Sequence, residues 1–301
     1  MPLAERLGAA RGGAAVGPVL RRGVLRVAGR DARDFLHRMS TQHLQRLAVG
    51  ESAYAAFLTA RGHLVAEGVV VAREGDLLVV TEPEVARPLA EHLRKYVVLD
   101  DVRVQDLSEE LRAVPVLGPE GTARLRPRPE VTLAASPRRG APALDALAPA
   151  AIAGNLRSEM LEGGAADLGE ADLEALRIEE GIARFGADMD GDRLPMEAGL
   201  TRDAIHFDKG CYLGQEVVLR ASMRGHLQKG LVQLELPAGA GPGARLRAGG
   251  QDVGWVTSAA ETSRGRLGLG YLRRAHWREG ERLETDSGEA AVRRVVVHEP
   301  R

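Results

Sequence analysis

Residues 209–216, which read Lys-Gly-Cys-Tyr-Leu-Gly-Gln-Glu, are the most informative stretch of this 301-residue chain. Gly210 and Gly214 permit positive φ and close approach of the backbone, so we expect a tight loop that lines a cavity. Lys209 stands two residues before Cys211, the only cysteine, and a nearby ammonium favours the reactive thiolate. The spacing alone leaves a second interpretation open, in which Cys211 is a small buried residue and Lys209 a surface charge.

Two further segments precede this stretch. Residues 177–189 read RIEEGIARFGADM, and residues 194–200 read LPMEAGL. Near the end of a predicted helix, Arg177 and Glu179 point in different directions, so that one of them can face a pocket. Taken alone, such an Arg–Glu run is usually a charged surface helix.

The three segments, in this order, resemble the GcvT-like family, whose best-known member is the aminomethyltransferase (T-protein) of the glycine cleavage system. The Lys-Gly-Cys-Tyr-x-Gly-Gln-Glu form resembles the YgfZ folate-binding branch, because the related T-protein stretch lacks this cysteine. The resemblance is strong over about 170–225, weaker over 20–115 and absent over 118–150. It implies an α+β fold of three lobes around a central cavity that binds tetrahydrofolate or a one-carbon derivative, with a C-terminal β-barrel.

The resemblance also implies roles for particular residues. The pterin is a flat heterocycle with amino and ring N–H donors, which a carboxylate can accept in its plane. The family's pocket glutamate, in an Arg-x-Glu-x-Gly motif, maps onto Glu179, with Arg177 beside it. Cys211 and Lys209 are implied to lie beside the folate. Candidates for the apolar walls that contact the ring faces are Tyr54, Leu64 and Val65. Candidates for the cations that hold the anionic glutamate tail of the folate are Arg220 and Arg224.

One position departs from the T-protein pattern. The T-protein carries an Asp-Asp pair after the glycine of its second hairpin, and alignment from Gly62 places Ala66 and Glu67 there. A catalytic carboxylate must come within about 3 Å of its target, and the remaining one is longer by a methylene. The departure counts against aminomethyl transfer and leaves Glu67 as a candidate acid.

Hydrophobic periodicity predicts the elements around these motifs. The predicted strands are 24–27, 52–58, 64–72, 77–80 and 102–104, and the predicted helices are 83–96 and 170–180. Residues 118–149 are expected to be irregular, with one edge strand near 131–135. Regular short strands after 225 indicate a small β-barrel. The predicted domains are 1–115, of which about the first 20 residues are loose, 116–225 and 226–301.

Composition narrows the possible functions. A formal net charge of −1 and 3% aromatic residues argue against nucleic-acid tracking, and no apolar run reaches the ~20 residues of a membrane helix. One cysteine excludes an internal disulfide, so a cytoplasmic location is expected. The histidine spacing predicts no metal site. Lysine occurs only at positions 95, 209 and 229, so a position that keeps lysine is expected to need a compact ammonium rather than a guanidinium.

Three functions follow. The first is a folate-binding accessory protein for the assembly or repair of iron–sulfur clusters, and hence for cluster-dependent tRNA modification, with iron–sulfur proteins or assembly factors as partners. The second is a folate-dependent aminomethyl or one-carbon transferase. The third is an interaction scaffold without folate binding.

Overall fold

A computed structural model of the chain describes residues 1–126, 128–223 and 227–297. Its helices are α1 (Leu3–Gly12), α2 (Ala32–Met39), α3 (Pro83–Lys95), α4 (Pro119–Arg124), α5 (Ala150–Glu162), α6 (Glu170–Glu179), α7 (Thr201–Ala204) and α8 (Gln215–Met223). Its strands are β1 (Ala15–Val16), β2 (Gly23–Ala28), β3 (Ser52–Leu58), β4 (Leu64–Arg73), β5 (Asp76–Thr81), β6 (Arg103–Asp106), β7 (Leu111–Leu117), β8 (Thr132–Ala135), β9 (Ala143–Pro149), β10 (Ala166–Asp167), β11 (Lys229–Glu235), β12 (Arg245–Ala248), β13 (Gln251–Thr262), β14 (Gly265–Arg273), β15 (Arg282–Thr285) and β16 (Gly288–Val295). Short 3-10 turns cover Pro137–Arg139 and Arg274–His276.

The N-terminal lobe is an antiparallel sheet with the order β3-β4-β5-β2-β6. One face packs on α2 and α3, because Phe35 and Leu36 of α2 and Leu89 and Leu93 of α3 share a buried cluster with the sheet. The proline at the start of α3 suits the first helical turn, where its missing N–H has no intrahelical partner. The strands and the helix predicted for this lobe are confirmed.

The middle lobe is a sheet with the order β10-β1-β7-β9-β8, and the N-terminus of the chain belongs to it. The prediction of a loose N-terminus is wrong, because β1 pairs with both β7 and β10. Leu7 and Ala10 of α1 are fully buried in one cluster with Leu173 and Leu176 of α6. Only two residues of α1 are buried, which is too few to produce a visible helical period.

Residues 118–149 are more regular than predicted. The expected edge strand exists as β8, which pairs only with β9 in the sheet. Strand β9 lies inside the sheet between β7 and β8, and the sequence analysis missed it. Its residues are alanine, leucine, aspartate and proline, and only a few of these types favour strands.

The C-terminal lobe is the predicted barrel, closed in the order β11-β14-β13-β12-β15-β16. Sheet membership changes between β6 and β7 and again before β11, so the three sheets define three lobes. Helix α6 joins two of them, because it packs against β13 and β14 of the barrel. None of the described helices combines the length and hydrophobicity that a membrane crossing requires.

Candidate functional site

A cavity of about 120 Å³ lies where the three lobes meet. The N-terminal lobe contributes Tyr54 of β3, and the middle lobe contributes Arg138 and residues 180–183. Pro137, residues 198–200, 202 and 203, and the barrel residues 294–296 complete the lining. Because every lobe supplies part of its wall, this junction cavity depends on the assembled three-lobed fold.

Tyr54 and Arg138 lie side by side at the junction cavity and are 8% and 9% exposed. The Cζ atom of Arg138 lies 5.8 Å from the centroid of the Tyr54 ring. Arg138 belongs to the 3-10 turn that ends at Gly140, where φ is +69° and a Cβ would collide with the Leu176 carbonyl of α6. Glycine is therefore required there, and the turn that carries Arg138 sits directly on α6.

A buried charge cluster supports Arg138. The Oε1 atom of Glu67, which is fully buried, lies 2.7 Å from Nη2 of Arg138. Glu82 Oε1 lies 3.4 Å from Nη1 of the same guanidinium, and Arg22 donates two hydrogen bonds to Glu82 at 2.9 and 2.8 Å. The cluster contains two guanidinium and two carboxylate groups, so its formal charges can balance.

Burial and these neighbours set the protonation states. Burial raises the pKa of Glu67 above its ordinary value, although the Arg138 guanidinium opposes the shift. Burial, and then the neighbouring Glu67 carboxylate, raise the pKa of Tyr54 well above its ordinary value. Burial also favours neutral Glu82, but Arg22 and Arg138 outweigh it and bring the pKa of Glu82 to about 2. At neutral pH, Tyr54 therefore carries its proton.

Some donors of this pair have no acceptor. Within residues 1–126, 128–223 and 227–297, the Tyr54 hydroxyl, the Nε and Nη1 atoms of Arg138 and both carboxylate oxygens of Glu67 are buried without a hydrogen-bond partner. An unsatisfied buried polar group costs about 1–3 kcal/mol, so such groups normally meet water or a ligand. The unpartnered donors of Tyr54 and Arg138 thus lie in one buried cluster with the unpartnered carboxylate oxygens of Glu67.

A second, more open cleft of about 630 Å³ also has Arg138 in its wall. Its lining is strongly charged, and its cations are matched by carboxylates. Arg139 contacts Asp145 at 2.9 Å, and Arg22 contacts Glu82 at 2.8 Å. This pairing makes the cleft a poor site for a further anion, because its cations are already neutralised.

The motif at 209–216 is docked on the N-terminal lobe. The Lys209 ammonium donates hydrogen bonds to the carbonyls of His37, Ser40 and Gln42 at 2.6, 2.8 and 2.9 Å. Burial lowers the pKa of this ammonium to about 7, whereas hydrogen bonds accepted from a charged form favour that form. All three ammonium protons are directed to carbonyls, so the expected activation of the Cys211 thiol by Lys209 is not supported.

Other residues of the motif complete this docking. Tyr212 is buried, and Gly214 has a φ of +83° at a point where a Cβ would lie 2.6 Å from the Thr59 carbonyl oxygen. Cys211 is exposed and lines a shallow cleft with Arg38. None of residues 209–216 lines the junction cavity, and the placement of Cys211 and Lys209 beside the folate stays a prediction. The motif is instead a platform that displays a thiol on the surface.

Glu179 and Arg177 occupy an internal network rather than the junction cavity. The Glu179 carboxylate accepts hydrogen bonds from Arg11 and from the backbone N–H and hydroxyl of Ser263. Arg177 donates to Asp188 Oδ2 and to the Ser258 hydroxyl, both at 2.7 Å. These partners come from α1 and the barrel, so both residues bind the lobes together. Glu179 does not line the junction cavity, whereas the neighbouring residue 180 does, and the role of Glu179 as the pterin acceptor stays a prediction.

The other predicted residues lie in the core of the protein, on its surface or outside the described residues. Leu64 is a core residue, Val65 packs against the core of the N-terminal lobe, and exposed Arg220 contacts Glu216 at 2.5 Å. None of them lines the junction cavity, and their assignment to the walls and to the tail site of the folate pocket stays a prediction. Arg224 lies outside the described residues.

The structure brings two predicted residues, Tyr54 and Glu67, together with three that sequence reasoning missed, Arg22, Glu82 and Arg138. It also places three histidine rings in a row, with centroids 4.8 Å apart for His37 and His43 and 5.4 Å apart for His43 and His206. In the part of the chain that the structure describes, no group of three or more His, Cys, Asp or Glu residues is arranged to hold a metal ion.

The fold and the site define a three-lobed α+β protein with a closed barrel and a small cavity at the junction of its lobes. Residues 4–135 match the family model described as the GCVT N-terminal domain. The crystal structure of the glycine cleavage system aminomethyltransferase T from Bartonella henselae has the same fold, with a TM-score of 0.85. The match covers 99% of this chain and 90% of that one at 20% identity, and it confirms the predicted fold class.

Two curated relatives identify the family to which the chain belongs. An aminomethyltransferase of Rubrobacter xylanophilus is 30% identical over 270 residues, which are 81% of this chain and 72% of the relative. A putative chloroplastic transferase of Arabidopsis thaliana is 25% identical over 275 residues, covering 84% of this chain and 63% of the relative. The chain belongs to the GcvT-like aminomethyltransferase family.

Proposed function

We propose that this protein belongs to the YgfZ branch of its family and binds tetrahydrofolate or a one-carbon derivative at the junction cavity. As a folate-binding accessory protein, it would serve the assembly or repair of iron–sulfur clusters and, through them, tRNA modification. The observation that carries the proposal is a cavity walled by all three lobes at their junction.

The junction cavity suits one end of such a ligand. Its volume of about 120 Å³ is below the roughly 300–1,000 Å³ of pockets that enclose a whole ligand, so it would receive the pterin edge while the rest extends through the mouth. Leu200 and Val296 supply apolar contact for a flat ring, and Arg294 lies in the lining as a cation for an anionic tail, whereas Arg202 is paired with Asp203 at 2.8 Å. Bound tetrahydrofolate would supply a nitrogen that carries one-carbon groups.

The residues at positions 66 and 67 favour folate binding over aminomethyl transfer. Ala66 is fully buried in the core of the N-terminal lobe, on the opposite face of β4 from Glu67. Glu67 is engaged by Arg138 and does not line the junction cavity. Neither position therefore presents a free carboxylate to a ligand, as general acid catalysis requires.

A second candidate function is folate-dependent aminomethyl transfer. Its support is that relatives are named aminomethyltransferases and that burial raises the pKa of Glu67, which could then carry a proton. Formation of methylenetetrahydrofolate from an aminomethylated carrier protein tests it. Turnover that is lost in Glu67→Gln would favour the transferase, whereas no turnover by a folate-binding protein favours the accessory role.

The iron–sulfur role depends on the exposed thiol of Cys211. One cysteine cannot hold a cluster, so the thiol would act together with a partner protein. We expect Cys211→Ala to leave folate affinity unchanged and to abolish complementation of a strain that lacks its own family member, with Cys211→Ser as the isosteric control. Full complementation by the alanine variant would contradict a role for the thiol.

Folate binding is tested by anaerobic calorimetric titration of the wild type and of Glu179→Gln with tetrahydrofolate. We expect saturable binding by both proteins, because the Glu179 carboxylate already holds Arg11 and Ser263. Loss of binding by a folded Glu179→Gln protein would restore that residue as the pterin acceptor. No binding by the wild type would favour the scaffold function.

A further inference from the structure

Three histidine rings lie together beside the docked motif. His37, His43 and His206 form what we call the histidine row, with ring centroids 4.8 Å apart for the first pair and 5.4 Å apart for the second. His37 belongs to α2, His43 to the loop after it, and His206 to the loop that leads into the motif. The row therefore lies where two distant parts of the chain meet, and the proposed folate function does not use it.

The contact that contains the row joins residues 206–213 to residues 37–42. The backbone N–H groups of residues 206 and 213 donate to the carbonyls of Thr41 and Arg38 at 2.9 and 3.0 Å. Lys209 adds its three hydrogen bonds to carbonyls of the same segment. The contact thus combines one ammonium with three imidazoles, all of which are neutral or positive.

The Nδ1 atoms of the row oppose a positive charge on the rings. In an imidazolium both ring nitrogens carry a proton. Nδ1 of His37 accepts the Leu44 N–H at 3.2 Å, so a proton there would displace this hydrogen bond. The Nδ1 atoms of His43 and His206 are buried without a hydrogen-bond partner among residues 1–126, 128–223 and 227–297. Protonation would therefore place a buried N–H without an acceptor beside an ammonium of the same sign.

The charges that face His37 act mostly in the same direction. Burial, and then the Lys209 ammonium and the imidazoles of His43 and His206, lower the pKa of His37 to about 4, whereas Asp34 of α2 opposes them. A histidine released into water titrates near pH 6.5. Between these two pH values, the open contact binds a proton that the closed contact excludes, so acid favours opening.

We infer that the histidine row is an acid-sensitive clamp, which releases residues 206–213, and with them the exposed Cys211, when its rings are protonated. The release is local, because only the hydrogen bonds between residues 206–213 and 37–42 need to open. None of the three histidines lines the junction cavity, so the inference does not depend on folate binding.

Amide hydrogen exchange at pH 7.5 and pH 5, corrected for the pH dependence of the chemical exchange rate, measures the release. With pKa values of about 4 in the closed contact and about 6.5 in the open one, the open population of residues 206–213 should rise about 30-fold. Low concentrations of urea separate the two kinds of opening, because urea accelerates exchange through global unfolding but not through a small local release. The exchange of residues 206–213 should therefore not respond to urea.

His37→Asn tests the clamp directly, because the asparagine side chain still offers an acceptor to the Leu44 N–H but does not titrate. Its rise between the two pH values should be about 3-fold or less. His63→Asn changes a half-buried histidine of the same lobe outside the row, and this matched control should keep the wild-type rise.

A nitroxide attached to Cys211 gives a second measurement that needs no histidine variant, because the capped thiol does not ionise. Its mobile fraction in the wild type should increase from pH 7.5 to pH 5 while circular dichroism shows a folded protein. Unchanged exchange of residues 206–213, equal rises in His37→Asn and His63→Asn, or exchange that urea accelerates would each overturn the clamp. An unchanged mobility of the nitroxide would overturn the release of Cys211.

Discussion

Replacing Lys209 by methionine removes one ammonium that serves three backbone carbonyls. The carbonyls of His37, Ser40 and Gln42 accept from it at 2.6–2.9 Å, and His37 lies in the last turn of α2, where carbonyls lack helical partners. A net contribution of about 1 kcal/mol for each hydrogen bond gives about 3 kcal/mol in total. Water reaches the half-buried lysine, so we expect a loss of about 2–3 kcal/mol in the free energy of local opening.

Amide hydrogen exchange measured by mass spectrometry reports this opening. Exchange in residues 37–44 should become about 30- to 100-fold faster in Lys209→Met, since 1.4 kcal/mol is a factor of ten. Lys209→Arg should not restore protection, because a planar guanidinium cannot direct three donors at carbonyls grouped around one point. Lys95→Met, at an exposed lysine, is the control. Unchanged exchange in Lys209→Met would refute the docking role of this lysine.

Two further predictions concern the same region. Burial, followed by the neighbouring Lys209 ammonium, lowers the pKa of His37 to about 4, so the folded protein binds fewer protons than the unfolded chain between about pH 4 and 6.5. The free energy of unfolding measured in urea titrations should therefore fall by about 1–2 kcal/mol from pH 7.5 to pH 5. His37→Asn should flatten this pH dependence. A wild type whose stability does not depend on pH would contradict the lowered pKa of His37. Gly214→Ala should lower stability by more than 1 kcal/mol, because the residue has a φ of +83° and its new Cβ would meet the Thr59 carbonyl. Gly186→Ala is the control, because Gly186 has a φ of +82° but a Cβ there would point into open space, so this variant measures the effect of φ alone. Equal losses in the two glycine variants would show that the Thr59 contact does not matter.

Much of the fold could be predicted because its signals are local. The alternation in 52–58 and the helical spacing in 83–96 each arise from one buried face, and both elements are present as β3 and α3. Helix α1 gave no such signal, because its contacts with α6 join residues more than 160 positions apart. Strand β9 was missed for a similar reason, since neighbouring strands rather than its own composition hold it in the sheet.

The candidate site was predictable only in part. Glu67 was predicted by alignment from Gly62, and Tyr54 as an apolar wall of the folate pocket. Arg138 comes from a segment rich in Pro, Arg and Ala and meets them only in the folded chain. The scarcity of lysine was a useful cue, because Lys209 holds three carbonyls as a compact ammonium can. Glu179 shows the limit of a motif, since a matching letter does not fix whether its carboxylate meets a ligand or another lobe.

The most direct test of the central claim is whether tetrahydrofolate occupies the junction cavity. Ile182→Trp places a large side chain in its lining, and Ile152→Trp makes the same change on α5, at a half-buried position outside the lining. Anaerobic calorimetry should show saturable binding by the wild type and by Ile152→Trp, and loss of binding by Ile182→Trp while the protein remains folded by circular dichroism. Wild-type affinity in Ile182→Trp, or no binding by the wild type, would contradict the proposed site.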